Sequence, residues 1–348
     1  MHITEGIITG TPAVLYTAAG FVLVGYGTTK MKKFVTSFPE KRPLLGMAGA
    51  LIFFISLLPL PAFTGTTSHP CATPFIAILF GPAVAIALTG GSLLLQAAFF
   101  AHGGFGTWGA NVVALGLFGC LSGWLTFSLA RKTGFPLWAS GFAGGLIGDV
   151  AVYMSSGLIL ARELANAPTP QYPFSGYLTV IYAAYLPTQL PIAIGEMVIT
   201  GLALQYIYKQ RPEVLVDLGL IKPVSVPSGK SGNIALSTLF LAAALLIMPG
   251  DHAFAANEQG DPEKIEASHV QIPSKTKSFS GMDEAINEKM AEDAGIKPKD
   301  PLIDTESMGD LWNAILLVAG GICGFVLGRW WHLISKKKNL GGNLPNDA

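Results

Sequence analysis

The chain begins Met1-His2-Ile3, and this start alone offers three nitrogen donors in a row: a free α-amine, the His2 backbone nitrogen and the His2 imidazole. Chelation through neighbouring nitrogens closes small rings and favours a flat donor set, and square-planar nitrogen sites suit Ni(II) or Cu(II). A further donor must come from elsewhere in the chain. The segment Phe63-Thr-Gly-Thr-Thr-Ser-His69-Pro-Cys71 offers the His69 imidazole in a short, hydroxyl-rich loop. The plainer role for His69 is to cap a helix started by Pro70 or Pro74. Cys71, two residues on, is another ligand candidate. His102, within Phe100-Ala-His-Gly-Gly-Phe105, is placed to line the entrance of such a site or to help hold the N-terminus. Gln96 and Asn111 flank His102. Metal-bound imidazoles need a partner for the second ring nitrogen, and both residues suit that task; hydrogen bonding between helices explains them equally well. Glu5 lies close enough to attract a cation.

Two other groups stand out by their surroundings. Asp149 and Glu196 sit inside long apolar blocks, where an acidic side chain is a functional-site hypothesis by default. Cys120 and Cys323 read as small apolar packing residues. His332 follows Trp330-Trp331 and reads as an interfacial anchor, and His252 and His269 fall in a polar stretch that gives no reason to single them out.

These residues belong to a chain patterned for a membrane. Hydrophobic residues make up 51% of it and charged residues 13%, against roughly 25% charged in soluble domains. Residues 44–62, 73–101, 107–130, 136–161 and 177–208 are almost free of charge, and about 20 apolar residues suffice to cross a bilayer as a helix. Period-two alternation is lacking, which argues against a β-barrel. The 41 glycines and 23 prolines fit membrane helices whose neighbours satisfy the backbone. A net charge of zero gives no footprint for nucleic acid. No G-x-x-x-x-G-K-[ST] loop is present, so the chain carries no sign of an ATPase.

The expected fold is therefore an all-α polytopic integral membrane protein. Lys and Arg gather after residue 29 (Lys30, Lys32, Lys33, Lys41, Arg42), at Arg131 and Lys132, after residue 208 (Lys209, Arg211, Lys222, Lys230) and in the tail, whereas the opposite short loops hold only Arg162. This bias marks the cytoplasmic side. It alternates correctly if 73–101 crosses twice, with the alternative that part of it is re-entrant. Seven spans result: 11–29, 44–62, 73–87, 89–101, 107–130, 136–161 and 177–208, with the N-terminus outside. Residues 1–210 then form a seven-helix body, 211–233 a cytoplasmic linker, and 234–335 a two-helix hairpin (234–250 and 311–331) around an external loop, 251–310. Leu241 to Ala256 also resembles a signal sequence ending in Ala-Phe-Ala-Ala.

Several of these motifs have a familiar order. Met1-His-Ile-x-Glu-Gly6, Ser68-His-Pro70, Ala77-Ile-Leu-Phe-Gly-Pro82, Gln96-Ala-Ala-Phe-Phe-Ala-His-Gly-Gly104 and Gly109-Ala-Asn111 together resemble the CbiM/NikM family, the substrate-binding membrane subunits of energy-coupling-factor nickel/cobalt transporters. The resemblance covers about residues 1–210. Residues 234–335 resemble, in topology more than motif, the two-helix companion CbiN/NikN. The resemblance implies that Ni(2+) or Co(2+) is the transported substrate, with no organic cofactor. It implies metal held by the Met1 amine, the His2 amide and imidazole, and His69, on an N-terminus inserted from outside. It implies as partners a transmembrane coupling subunit and two cytoplasmic ATPases, in a prokaryotic cell membrane. An acidic residue is the more common family choice at the position of His102, which leaves nickel against cobalt open. The competing classes are an ion-gradient-coupled secondary transporter, with Asp149 and Glu196 carrying the coupling ion, and a membrane scaffold or sensor.

Overall fold

The computed structural model describes residues 2–57, 60–61, 67–100, 102–222 and 282–299. Met1, the hairpin spans at 234–250 and 311–331, His252, His269, Cys323 and His332 lie outside the described residues. Apart from a pair of two-residue strands, β1 (Leu60–Pro61) and β2 (Thr67–Ser68), which pair antiparallel, the regular elements among the described residues are helical.

Helix α1 runs from Gly10 to Ser37. It is longer than the expected 11–29 span, so Lys30, Lys32 and Lys33 occupy its last turns rather than a loop. Lys41 and the short turn Pro39–Lys41 lead into α2, Arg42–Ile55, which Pro43 helps to start. The block 73–101 does break in two, but not where spans 73–87 and 89–101 would have it. Helix α3 is Thr73–Phe80 and α4 is Pro82–Phe99. Gly81 adopts φ +84, a left-handed backbone that costs glycine little, and Pro82 starts the next helix in its favoured first position. Gly90 and Gly91 lie inside α4 and do not break it. An eight-residue helix is about 12 Å long, so α3 reaches only part of the way through a bilayer.

From Trp108 the chain is helical without a gap to Lys132: α5 (Trp108–Asn111), a π-helical stretch (Val112–Gly119) and α6 (Cys120–Lys132). Helices α7 (Leu137–Ala165) and α8 (Phe174–Gln210) follow, the latter continuing through Pro187 and Pro191. Among the described residues four helical runs are long and apolar enough to cross a membrane: α4, Trp108–Lys132, α7 and α8. Large apolar side chains such as Phe21, Phe54, Leu129 and Leu186 face outward, as lipid-facing positions of a multi-pass protein should.

Small residues set the helix spacing, in keeping with helix packing inside membranes. A methyl group added at Gly109 would meet the Tyr16 carbonyl of α1 at 2.2 Å, and one added at Gly148 would meet Pro74 of α3 at 2.5 Å. Pro74 is thereby seated between α6 and α7, and α3 is buried along nearly its whole length.

Two regions expected to be connections have structure. The linker range contains α9 (Pro212–Asp217), whose Leu215 is buried against Ile78, Leu79 and Leu204. The expected external loop contains α10, Met282–Asp293. Ala291 and Ala294 are fully buried in the main core with Met290 and Ile296 beside them. The Thr169 N–H donates to Ala294 O (3.1 Å) and Gln171 Nε2 donates to Asp293 O (2.9 Å). Tyr185 and Asn287 are joined by a short side-chain hydrogen bond.

Candidate metal site

The residues before α1 are the least helical and among the most buried. His2 and Ile3 are inaccessible to solvent, and Ile7 and Ile8 nearly so. This segment therefore runs into the bundle, and its backbone polar groups need partners there. Asn111 supplies two: the Ile3 N–H donates to Asn111 Oδ1 (2.8 Å), and Asn111 Nδ2 donates back to Ile3 O (3.2 Å). Thr107 Oγ1 donates to the same carbonyl at 2.8 Å. Further out, the Gly106 N–H donates to Glu5 Oε2 (2.7 Å), and the Lys299 N–H donates to Glu5 O (3.0 Å). Glu5 thus pins the segment to the loop after α4 rather than facing the imidazoles.

The outcome is a cluster of three imidazoles. His2 Nδ1 lies 3.2 Å from His69 Nε2, and His102 Nε2 lies 3.3 Å from the same nitrogen. The candidate donor atoms of all three residues fall within 4.8 Å of one another. Two nitrogens held at about 2.0 Å from one ion, at a right or tetrahedral angle, stand about 2.8–3.3 Å apart, so the observed spacing fits shared coordination as well as an N–H···N hydrogen bond. The ring faces agree on orientation. His69 Nδ1 sits 3.3 Å from Pro70 O; donation there leaves the Nε2 lone pair for the centre of the cluster. On His2 the nitrogen facing the cluster is Nδ1, the one near enough to its own backbone nitrogen to close a chelate ring.

Gln96 packs at the back of the cluster. Its Nε2 donates to Ser56 Oγ (2.6 Å) and Phe53 O (3.2 Å), which ties the end of α2 to the end of α4. Gln96 Oε1 and His2 Nε2 are both buried without a well-formed hydrogen bond, and the two side chains interact. Burial, with His102 and other positive charge nearby, holds the His2 imidazole well below its usual range near 6.5, and burial does the same to His69. Both rings are therefore neutral at ordinary pH, the form in which imidazole binds metal.

Of the residues singled out from the sequence, His2, His69, Gln96, His102 and Asn111 meet here. The sequence puts His102 at the entrance or behind the ligands; it lies instead in the cluster itself, because the loop 100–107 folds back under the N-terminal segment. Cys71 goes elsewhere. Its thiol meets Asp149 of α7 and Glu196 of α8, a grouping that no sequence spacing joins. Tyr153, one turn after Asp149, donates its hydroxyl to His69 O (3.0 Å), a contact that nothing in the sequence signals.

A cluster of imidazoles inside a multi-pass helical body has the donor chemistry expected of a membrane protein that handles transition metal ions. Residues 2–214 match the profile of the family described as CbiM, cobalt uptake substrate-specific transmembrane region, and the chain belongs to that family. A cobalt transport protein CbiM of Geobacter sulfurreducens is 33% identical over 336 residues, spanning 96% of this chain and 90% of that one. A putative cobalt transport protein CbiM of Methanocaldococcus jannaschii is 34% identical over 238 residues, 67% of this chain and all of its own length. Among solved structures, a transition metal transporter is similar at 25% identity and TM-score 0.50, covering 63% of this chain and 99% of that one. The protein is thus a membrane component of cobalt or transition metal uptake.

Proposed function

We propose that the chain is the substrate-capturing subunit of an energy-coupling-factor transporter and binds one divalent cobalt or nickel ion at its inserted N-terminus. The observation that carries this reading is the convergence of His2 Nδ1 and His102 Nε2 on His69 Nε2 at 3.2 and 3.3 Å, with His2 and His69 buried. The ligands are the α-amine of Met1, the amide and imidazole of His2, and the imidazole of His69. His102 is a fifth donor within reach, which favours cobalt in a higher coordination number over strictly flat nickel. The family name and the names of the relatives, all cobalt, support the same preference. With no phosphate-binding loop in its sequence, the chain takes its energy from partners: a membrane coupling subunit and two cytoplasmic ATPases.

The test is one added residue between Met1 and His2. It keeps every side chain and alters the chelate rings. Cobalt and nickel content of the purified protein, read by elemental analysis, should fall by more than tenfold. Wild-type metal content in this variant would overturn the N-terminal chelate.

A further inference from the structure

We propose that Cys71, Asp149 and Glu196 form a second cation site, below the histidines, that takes the same class of divalent transition metal ion. The candidate atoms, Cys71 Sγ and one carboxylate oxygen from each acid, lie within 4.8 Å of one another. They come from three separate elements: the loop before α3, the middle of α7 and the middle of α8. All three are buried, Cys71 and Asp149 at 0% exposure and Glu196 at 3%.

Three of the four carboxylate oxygens have no hydrogen-bond partner: both of Asp149, and Oε1 of Glu196. The fourth, Glu196 Oε2, accepts the Cys71 N–H at 2.7 Å and so fixes the loop against α8. The ion pairs found among the described residues, Lys41–Asp217 and Arg211–Glu213, lie elsewhere, so no described Lys or Arg pairs with these acids. Two buried carboxyl groups without a counter-charge are expensive unless they share a proton or hold a cation. A shared proton between the acids, with the Cys71 thiol donating to Asp149, is the competing arrangement, and it still leaves carboxylate lone pairs unused. A cation engages all of them. The donor set also selects the ion. Sodium and magnesium prefer oxygen alone, whereas thiolate with carboxylate suits cobalt, nickel or zinc.

The local backbone supports the arrangement. Ala72 holds φ +56, the one positive value away from glycine among the described residues. Such a conformation in a residue with a Cβ persists only where surroundings enforce it. It follows Cys71 directly and turns the chain into α3, just after a loop whose His69 serves one cluster and whose Cys71 serves the other. Helix α7 touches both, through Tyr153 on the His69 carbonyl and Asp149 on the second site. An ion released by the histidines therefore has acceptors waiting one loop step away.

The experiment uses the full chain in detergent, titrated with Co(2+) and followed by absorption and elemental analysis. In the double variant His2→Gln/His69→Gln the first site is removed. That protein should still bind one cobalt, more weakly, with a thiolate-to-cobalt charge-transfer band in the near ultraviolet. Adding Cys71→Ser should abolish the band and weaken this cobalt at least as much as loss of an outer partner does, about 10–100-fold. Asp149→Asn in the same background should weaken the binding similarly; Cys71→Ser, a smaller change, gives the answer if that protein does not fold. No cobalt in the double variant, or a band that survives Cys71→Ser, would overturn the second site and leave the acids as a proton-sharing pair. Either result is separate from the fate of the N-terminal chelate, since the titration is read with that site removed.

Discussion

Asn111 does for the N-terminal segment what a neighbouring strand does in a sheet: it accepts from and donates to one residue's backbone, that of Ile3. Its amide reads backbone, so it positions His2 without touching it. Asn111→Ala leaves the Ile3 N–H buried and without its partner, at about 1–3 kcal/mol. The expected outcome is a Co(2+) affinity lowered about tenfold or more in binding titration, because 1.4 kcal/mol corresponds to about a factor of ten, while Asn111→Asp should retain part of it. Unchanged affinity in the alanine variant would mean that Ile3 is held by Thr107 alone. At this scale the sequence is informative about residue types and silent about contacts. His2 and His69 stand out by position in the chain, and Gln96 and Asn111 as polar groups in apolar helices. Cys71, Asp149 and Glu196 each draw notice singly, but 78 and 125 residues separate Cys71 from the two acids, and only helix packing joins them.

Helices α3 and α10 show what charge and hydropathy leave unread. The apolar block 73–101 is continuous in composition, and glycine is common enough in membrane helices that Gly81 and Gly90-Gly91 look alike in sequence. The break falls at Gly81 because proline follows it there. α10 has a polar composition and reads as loop, yet Ala291, and Ala294 just past its end, are buried. Gly295, just beyond it, adopts φ +80, and a Cβ there would stand 2.6 Å from Thr169 Oγ1. Gly295→Val combines backbone strain with that clash. It should undock the segment and destabilise the protein by about 1–3 kcal/mol. Limited proteolysis checks this: cleavage within 282–299 should become at least several times faster, while a substitution at exposed Glu292 leaves it unchanged. Equal rates for wild type and Gly295→Val would show that the docking contributes little to protection.

Over the whole molecule, lysine and arginine placement orients the bundle. Lys41 pairs with Asp217 at 3.3 Å, which puts the loop after α1 and the segment after α8 on one face; Lys30, Lys32, Lys33, Lys209 and Arg211 belong to the same end. From the positive-inside bias we propose that this face is cytoplasmic and that the start of α1 is external. Reporters fused after Ser37 or after Arg211 should both be cytoplasmic, and one inserted within 255–275 external. Opposite locations for the first two would contradict the shared face itself. The architecture is the most legible part of the sequence, since five long blocks almost without charge fit little besides a helical membrane body. Least legible is the entry of residues 2–8 into the interior. A polar-looking start before a helix carries no sign of burial until its hydrogen-bond partners are seen.

The π-helical stretch from Val112 to Gly119 lies between Asn111, which grips Ile3, and Cys120, whose helix packs on α3. A π turn holds one residue more than an α turn and forms poorer hydrogen bonds, and it recurs at functional sites. A substitution that let this stretch close into regular α form, with every residue kept, would give it sounder helical hydrogen bonds. The two ends would then turn relative to each other by about 100°, and Asn111 would face away from the N-terminal segment. Mutational drift toward a sounder helix therefore runs against cargo capture, a conflict between stability and activity. The inheritance of this site rests on preserving a fault in a helix as much as on keeping its histidines.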